Sequence, residues 1–257
     1  MKSKINRILL NFLAIALMLS TVPLSADEAH HMSQANDNSE VLGFAGQHQQ
    51  IWHLKATKPL LVGGYGDNFN YDGSNVTPLL GDAEAVLDAK KDLGTAVVNL
   101  KGSIFPEKGK VYSGDIMLVF RVKKGGPAFQ EGGVADFVYL HGNTKQDAPV
   151  MPKTRTFLGM WGDADVYVNN ELIYKNMMGH MMYTERVRDT MTRAIYNKDK
   201  SAYYSPQNPD DGSVAAADEK ELHFVAHNMK EDKNNFPNHS VWIHLNFETV
   251  VDISASN

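Results

Sequence analysis

Between residues 241 and 253 apolar side chains fall on alternate positions. Val241, Ile243, Leu245, Phe247, Val251 and Ile253 share one parity, and His244, Asn246, Glu248 and Asp252 share the other. Only an extended chain turns this pattern into one apolar face, because successive side chains of a strand point to opposite sides. A second run repeats it, with Ile116, Leu118, Phe120 and Val122 set against Asp115, Met117, Val119 and Arg121. Such a face must be covered by a second sheet or by closure of its own sheet into a barrel. Further strand signals lie at 96–100, 135–140, 165–168, 172–174 and 221–226, and Asn169-Asn170 marks a two-residue hairpin, since asparagine tolerates positive φ. Helical signals are confined to 82–93, closed by Gly94, and to 184–196, where Val187, Met191 and Ile195 recur at four-residue spacing. The expected fold is all-β: an antiparallel β-sandwich, jelly-roll-like, with one or two short helices.

Lys2, Lys4 and Arg7 precede an apolar run at 8–19, and Leu24-Ser25-Ala26 offers small residues for cleavage. This predicts a signal peptide over 1–26, a polar flexible leader over 27–40, and a single sandwich domain over 41–257. The apolar run, interrupted by Asn11, is shorter than the roughly 20 residues that span a bilayer, so no integral membrane segment is expected after cleavage. The product is then periplasmic or secreted. The chain has no cysteine, which removes disulfides, a lipid-anchored thioether and thiol catalysis, and leaves core burial as the source of stability. Loss of the three signal-peptide cations takes the formal charge from −5 to −8. No basic stripe offsets that charge, which argues against a nucleic-acid partner.

Two clusters carry chemistry. Met177, Met178, His180, Met181 and Met182 crowd thioethers and an imidazole around Gly179. Thioether sulfur prefers Cu(I), and imidazole accepts either copper oxidation state. The competing reading is that these methionines fill core space. His223, His227 and His244 form the second cluster. If 221–227 is extended, residues 223, 225 and 227 point away from Leu222, Phe224 and Ala226, and His244 lies on the non-core parity of its own strand. Hairpin pairing of these consecutive strands would bring the imidazoles to one face, with His239 nearby and Glu221 or Glu248 as oxygen ligands or supporting partners. Such a set suits copper or zinc.

Other signals are weaker. Phe224 stands where a zinc-peptidase helix would carry its glutamate between His223 and His227. Gly63, Gly64 and Gly66 surround Tyr65 with no helix pattern behind them, so no phosphate loop is expected, and there is no Gly-x-Ser-x-Gly elbow. His141, between a strand and Gly142, reads as a turn histidine at a sheet rim. The connection 198–218, rich in Pro, Asp and Gly, reads as a solvated excursion. The stretch 165–174, with Val166-Tyr167-Val168-Asn169-Asn170 after Trp161, resembles the edge hairpin of galactose-binding-like β-sandwich modules, in which glycine usually follows the asparagine. The resemblance covers ten residues and implies the sandwich architecture, with nothing about sugar.

The expected function is an exported metal-binding protein, with copper as the ion and zinc as an alternative, using His223, His227, His244, His180, Met177, Met178, Met181 and Met182. Two other functions are expected as alternatives. One is a carbohydrate or small-molecule binding module that stacks its ligand on Trp161, Trp242, Tyr203 and Tyr204. The other is a metalloenzyme with a three-histidine site and an open position.

Overall fold

The computed structural model describes residues 43–125, 132–210 and 214–254, all within the unit Val41–Asn257. The signal peptide and leader expected over 1–26 and 27–40 lie outside the described residues. Among the described residues there are ten strands and no α-helix. They are β1 (Ile51–Val62), β2 (Val76–Pro78), β3 (Leu80–Asp88), β4 (Leu93–Glu107), β5 (Lys110–Val122), β6 (Gly133–Leu140), β7 (Thr154–Val168), β8 (Glu171–Arg186), β9 (Ala216–His227) and β10 (Trp242–Asp252).

Every pairing is antiparallel, and two pairs of strands act as one. β1 pairs with β3 as far as Thr57↔Asp82 and with β2 from Leu60↔Pro78, the break falling at Lys58, whose φ is 60°. β7 pairs with β5 as far as Gly162↔Val122 and with β6 from Trp161↔Gly133. The result is an eight-stranded up-and-down barrel that closes where β10 pairs with β1, from Leu54↔Asp252 to Leu61↔Leu245. The all-β, antiparallel expectation holds; the sandwich is replaced by closure. Alternation demands a cover for the apolar face, and a sheet that curls onto itself supplies one as well as a second sheet does.

The barrel interior is filled by the apolar parity of each strand, including Leu54, Ala85, Val98, Leu118, Ala164, Leu245 and Phe247. Alanines of β1, β3 and β4 leave room for Phe120, Phe224 and Phe247, whose rings meet at 5.0 and 5.7 Å. Neither expected helix forms. Residues 82–93 hold good helix formers, yet Ala83, Ala85 and Leu87 alternate inward against Asp82, Glu84 and Val86, and sheet pairing on both sides overrides propensity. Residues 184–196 begin as the end of β8 and continue as a loop in which Asp189 Oδ1 accepts from the amides of Met191 and Thr192. Val187 and Ile195 are buried there while Met191 is 89% exposed, so the four-residue spacing makes no stripe. The hairpin at Asn169-Asn170 forms, with φ of 52° and 68°.

The described parts of four loops, 63–75, 141–153, 187–210 with 214–215, and 228–241, cover the outer wall formed by β7 to β10, and a second apolar cluster lies beneath them. Side chains stitch these loops together. Asn68 Nδ2 donates to Asn235 Oδ1 and to the Phe236 carbonyl, and the hydroxyls of Tyr71 and Tyr204 donate to the carbonyls of Val150 and Pro149. The buried Arg188 guanidinium donates to the carbonyls of Phe69, Asn70 and Arg193. Thus the described parts of 198–218 include packed residues as well as solvated ones. No helix among the described residues is long and apolar enough to cross a membrane.

Candidate functional site: a cavity lined by histidine and methionine

Sheet register decides which chemical side chains meet. Across β7, β8, β9 and β10 one row reads Trp161, His180, Val225, His244; the row on one side reads Asp163, Met178, His227, Trp242; the row on the other reads Gly159, Met182, His223, Asn246. Residues opposed across antiparallel strands share a face, and here that face is the outer one. The methionine cluster is therefore divided by parity. Met177 and Met181 point into the barrel core, and Met178, His180 and Met182 point out, beneath the loops.

Between this wall and the loops lies a cavity of about 440 Å³. Phe69, Trp161, Phe236 and Trp242 supply aromatic surface, and His141, His180, His227, His239 and His244 reach it together with Met151, Met178 and Met182. Gly159 makes room for one wall: a Cβ there would stand 2.5 Å from Cη2 of Trp161, so the indole lies over the glycine. Pro206 and Gln207, from the long connection, border the cavity. Of the four aromatics expected to stack a ligand, Trp161 and Trp242 line this space. Tyr204 is buried in the loop layer and Tyr203 packs on Tyr196, with ring centroids 5.7 Å apart.

His223 and His244 belong to a buried polar chain on the same face. Glu221 Oε1 accepts from His223 Nε2 at 2.8 Å and from the Val187 amide at 2.9 Å, and its Oε2 accepts from Asn246 Nδ2 at 3.1 Å. His223 Nδ1 lies 3.3 Å from His244 Nε2, and His244 Nδ1 lies 3.2 Å from the Asn68 carbonyl. Burial pushes the Glu221 carboxyl up, but the His223 ring and these hydrogen bonds outweigh it and hold the group below its ordinary value. Burial, with His223 and Arg188 adding to it, holds His244 well below the usual imidazole range. Each ring nitrogen has a protein N or O atom within 3.3 Å, and the two rings meet nitrogen to nitrogen. The face that alternation marks as non-core is itself buried, because the loops form a second layer over it.

The rings of His227, His239 and Trp242 form a three-way cluster, with His227 4.2 Å from His239 and 4.9 Å from Trp242 and those two 5.6 Å apart, and His227 Nδ1 donates to the Asn228 carbonyl at 3.1 Å. Burial brings its pKa down to about 4, against the Asn228 hydrogen bond and with help from the His239 and His180 rings. Burial, opposed by Asp147 and reinforced by His141 and His223, brings His180 to about 4 as well. Both rings are neutral at neutral pH. His223, His227 and His244 share one face, as strand geometry requires, but among the described residues no three His, Cys, Asp or Glu side chains are grouped so as to hold a metal ion.

His141, absent from both sequence clusters, touches a cavity thioether. Its ring is buried, its Nδ1 donates to the Ala148 carbonyl at 2.7 Å, and its Nε2 lies 3.3 Å from Met182 Sδ. Its backbone is left-handed, with φ 61°, and Gly142 follows at 53°. Comparison of the chain with protein-family models, curated proteins and solved structures gives no match.

Proposed function

We propose that this protein is an exported copper-binding protein whose ion is held in the cavity on the outer barrel wall. One observation carries the reading: imidazoles and thioethers from β8, β9, β10 and two loops meet at one half-open, mostly apolar space. Soft thioethers favour Cu(I), and an apolar surround disfavours the hard, oxygen-ligated cations. Neutral rings at His180 and His227 have no proton to lose before ligation at neutral pH. Export is read from residues 1–26, and in a cysteine-free chain Met and His are the soft donors left. Of the clustered residues that face the cavity, Met178, His180, Met182 and His227 are the ligand candidates, while His244 reaches it with its ring nitrogens set against His223 and the Asn68 carbonyl; Met177 and Met181 serve packing.

The test is competition of the apoprotein with a chromophoric Cu(I) chelator under anaerobic, reducing conditions. The reading predicts that the protein withdraws one Cu(I) per chain and that Zn(II) does not displace it. A chelator that keeps all its copper would contradict it. A second reading follows from size, since about 440 Å³ lies within the range of small-molecule pockets and exceeds what one ion fills. On that reading a flat, mostly apolar molecule stacks against Trp161 and Trp242, and native mass spectrometry of the exported protein shows an organic adduct in place of a metal.

A further inference from the structure

With the His141 ring neutral, its contact with Met182 pairs two groups that have no proton to share. Nδ1 of His141 faces a carbonyl oxygen at 2.7 Å, and a carbonyl can only accept, so the proton of the neutral ring is at Nδ1. Nε2 then presents a bare lone pair. Opposite it, at 3.3 Å, stands the Met182 thioether, which is also only an acceptor. Two buried acceptors facing one another leave both unsatisfied, an arrangement that calls for an explanation, a bound ion among them. Imidazole held by an Nδ1–H···O=C bond with Nε2 directed inward is also how metal-binding histidines are oriented by their supporting partners.

The distances suit a shared ion. A first-row metal sits about 2.0 Å from imidazole nitrogen and about 2.3 Å from sulfur, so donors 3.3 Å apart subtend about 100° at the ion, near the tetrahedral angle. His180 stands two residues from Met182 on the same strand face and lines the same cavity, and no hydrogen bond to either of its ring nitrogens is found among the described residues. We infer that Cu(I) is bound by His141 Nε2 and Met182 Sδ, with His180 as the third donor. The left-handed turn at His141-Gly142 aims the first of these. The inference rests on the copper reading above and gives that reading its ligands.

Chelator competition separates the two. The proteins compared are the wild type, Met182→Leu, His141→Asn and, as a control from the barrel core, Met181→Leu. Asparagine is used because it tolerates the left-handed backbone at this position. Met182→Leu and His141→Asn are expected to weaken Cu(I) binding by more than the roughly 10–100-fold that loss of an outer-shell partner costs, and Met181→Leu to leave it unchanged. The copper absorption edge of the wild type should show a sulfur neighbour that Met182→Leu lacks. If His141→Asn does not fold, the near-isosteric Met182→Leu decides alone. Failure of the wild type to bind Cu(I) overturns the copper reading and this inference together. Unchanged affinity in Met182→Leu, with sulfur still at the copper, overturns the ligand assignment and leaves the copper reading standing.

Discussion

Met181 and Met182 are adjacent in the chain and opposite in role, so substituting each in turn tests the division of the methionine cluster. Met181 is fully buried in the barrel between Met160 and Phe224 on the neighbouring strands, both also fully buried. Met181→Ala deletes two carbons and a sulfur from that site. Loss of their burial costs about 2 kcal/mol, and the space left by incomplete collapse raises the total to about 2–5 kcal/mol. For a unit of this size 1 kcal/mol moves the thermal midpoint by about 2–4 °C, so a loss of about 3 kcal/mol lowers it by about 6–12 °C. Met182→Leu conserves volume and costs less than about 1.5 kcal/mol. Far-ultraviolet circular dichroism melts of the two apoproteins measure the difference. If Met181→Ala melts with the wild type, or Met182→Leu falls as far as Met181→Ala, the parity argument is refuted.

Three further outcomes are expected. Because His180 and His227 have pKa values of about 4 in the folded protein, the unfolded chain binds more protons between pH 4 and about 6.5. Apoprotein stability therefore falls as pH drops through that window, by at most about 1.4 kcal/mol per pH unit for each ring, and thermal midpoints that stay level from pH 7 to 5 would refute it. Glu221, whose pKa is depressed, adds its own loss only below the ordinary glutamate range. Glu221→Ala strands His223, the Val187 amide and Asn246 in a site without solvent and should cost about 3–5 kcal/mol by urea denaturation; a cost under about 1 kcal/mol would mean the chain of bonds is dispensable. Arg188→Met removes the donor to three loop carbonyls, so hydrogen exchange should accelerate in 67–75 and 187–196 and stay slow in β4 and β5; uniform acceleration would show that the loops and barrel unfold together.

The strands were legible because alternation is a local property; their closure was not. The parity of Ile243, Leu245 and Phe247 says that one face is covered, without saying whether another sheet or the same sheet covers it. The second layer left a trace that a one-face reading passes over: in 222–227 and 241–247 the outward parity carries Val225, Trp242 and three histidines but no charged carboxylate or amine. An exposed face of that length usually carries some. The stretch 82–93 misled because its residues favour helix one at a time, while Ala83, Ala85 and Leu87 alternate. His141 was beyond reach of spacing arguments, since its partner Met182 is 41 positions away and the two meet only through the β6–β7 turn and the register of β7 against β8.

The most direct test of the central claim is an anomalous difference map from crystals of the protein loaded with Cu(I) or with Ag(I), which shares its preference for thioether and imidazole. The account predicts one strong peak in the cavity on the outer wall, between Nε2 of His141 and Sδ of Met182. A peak anywhere else, or an empty cavity in crystals exposed to excess ion, would contradict it.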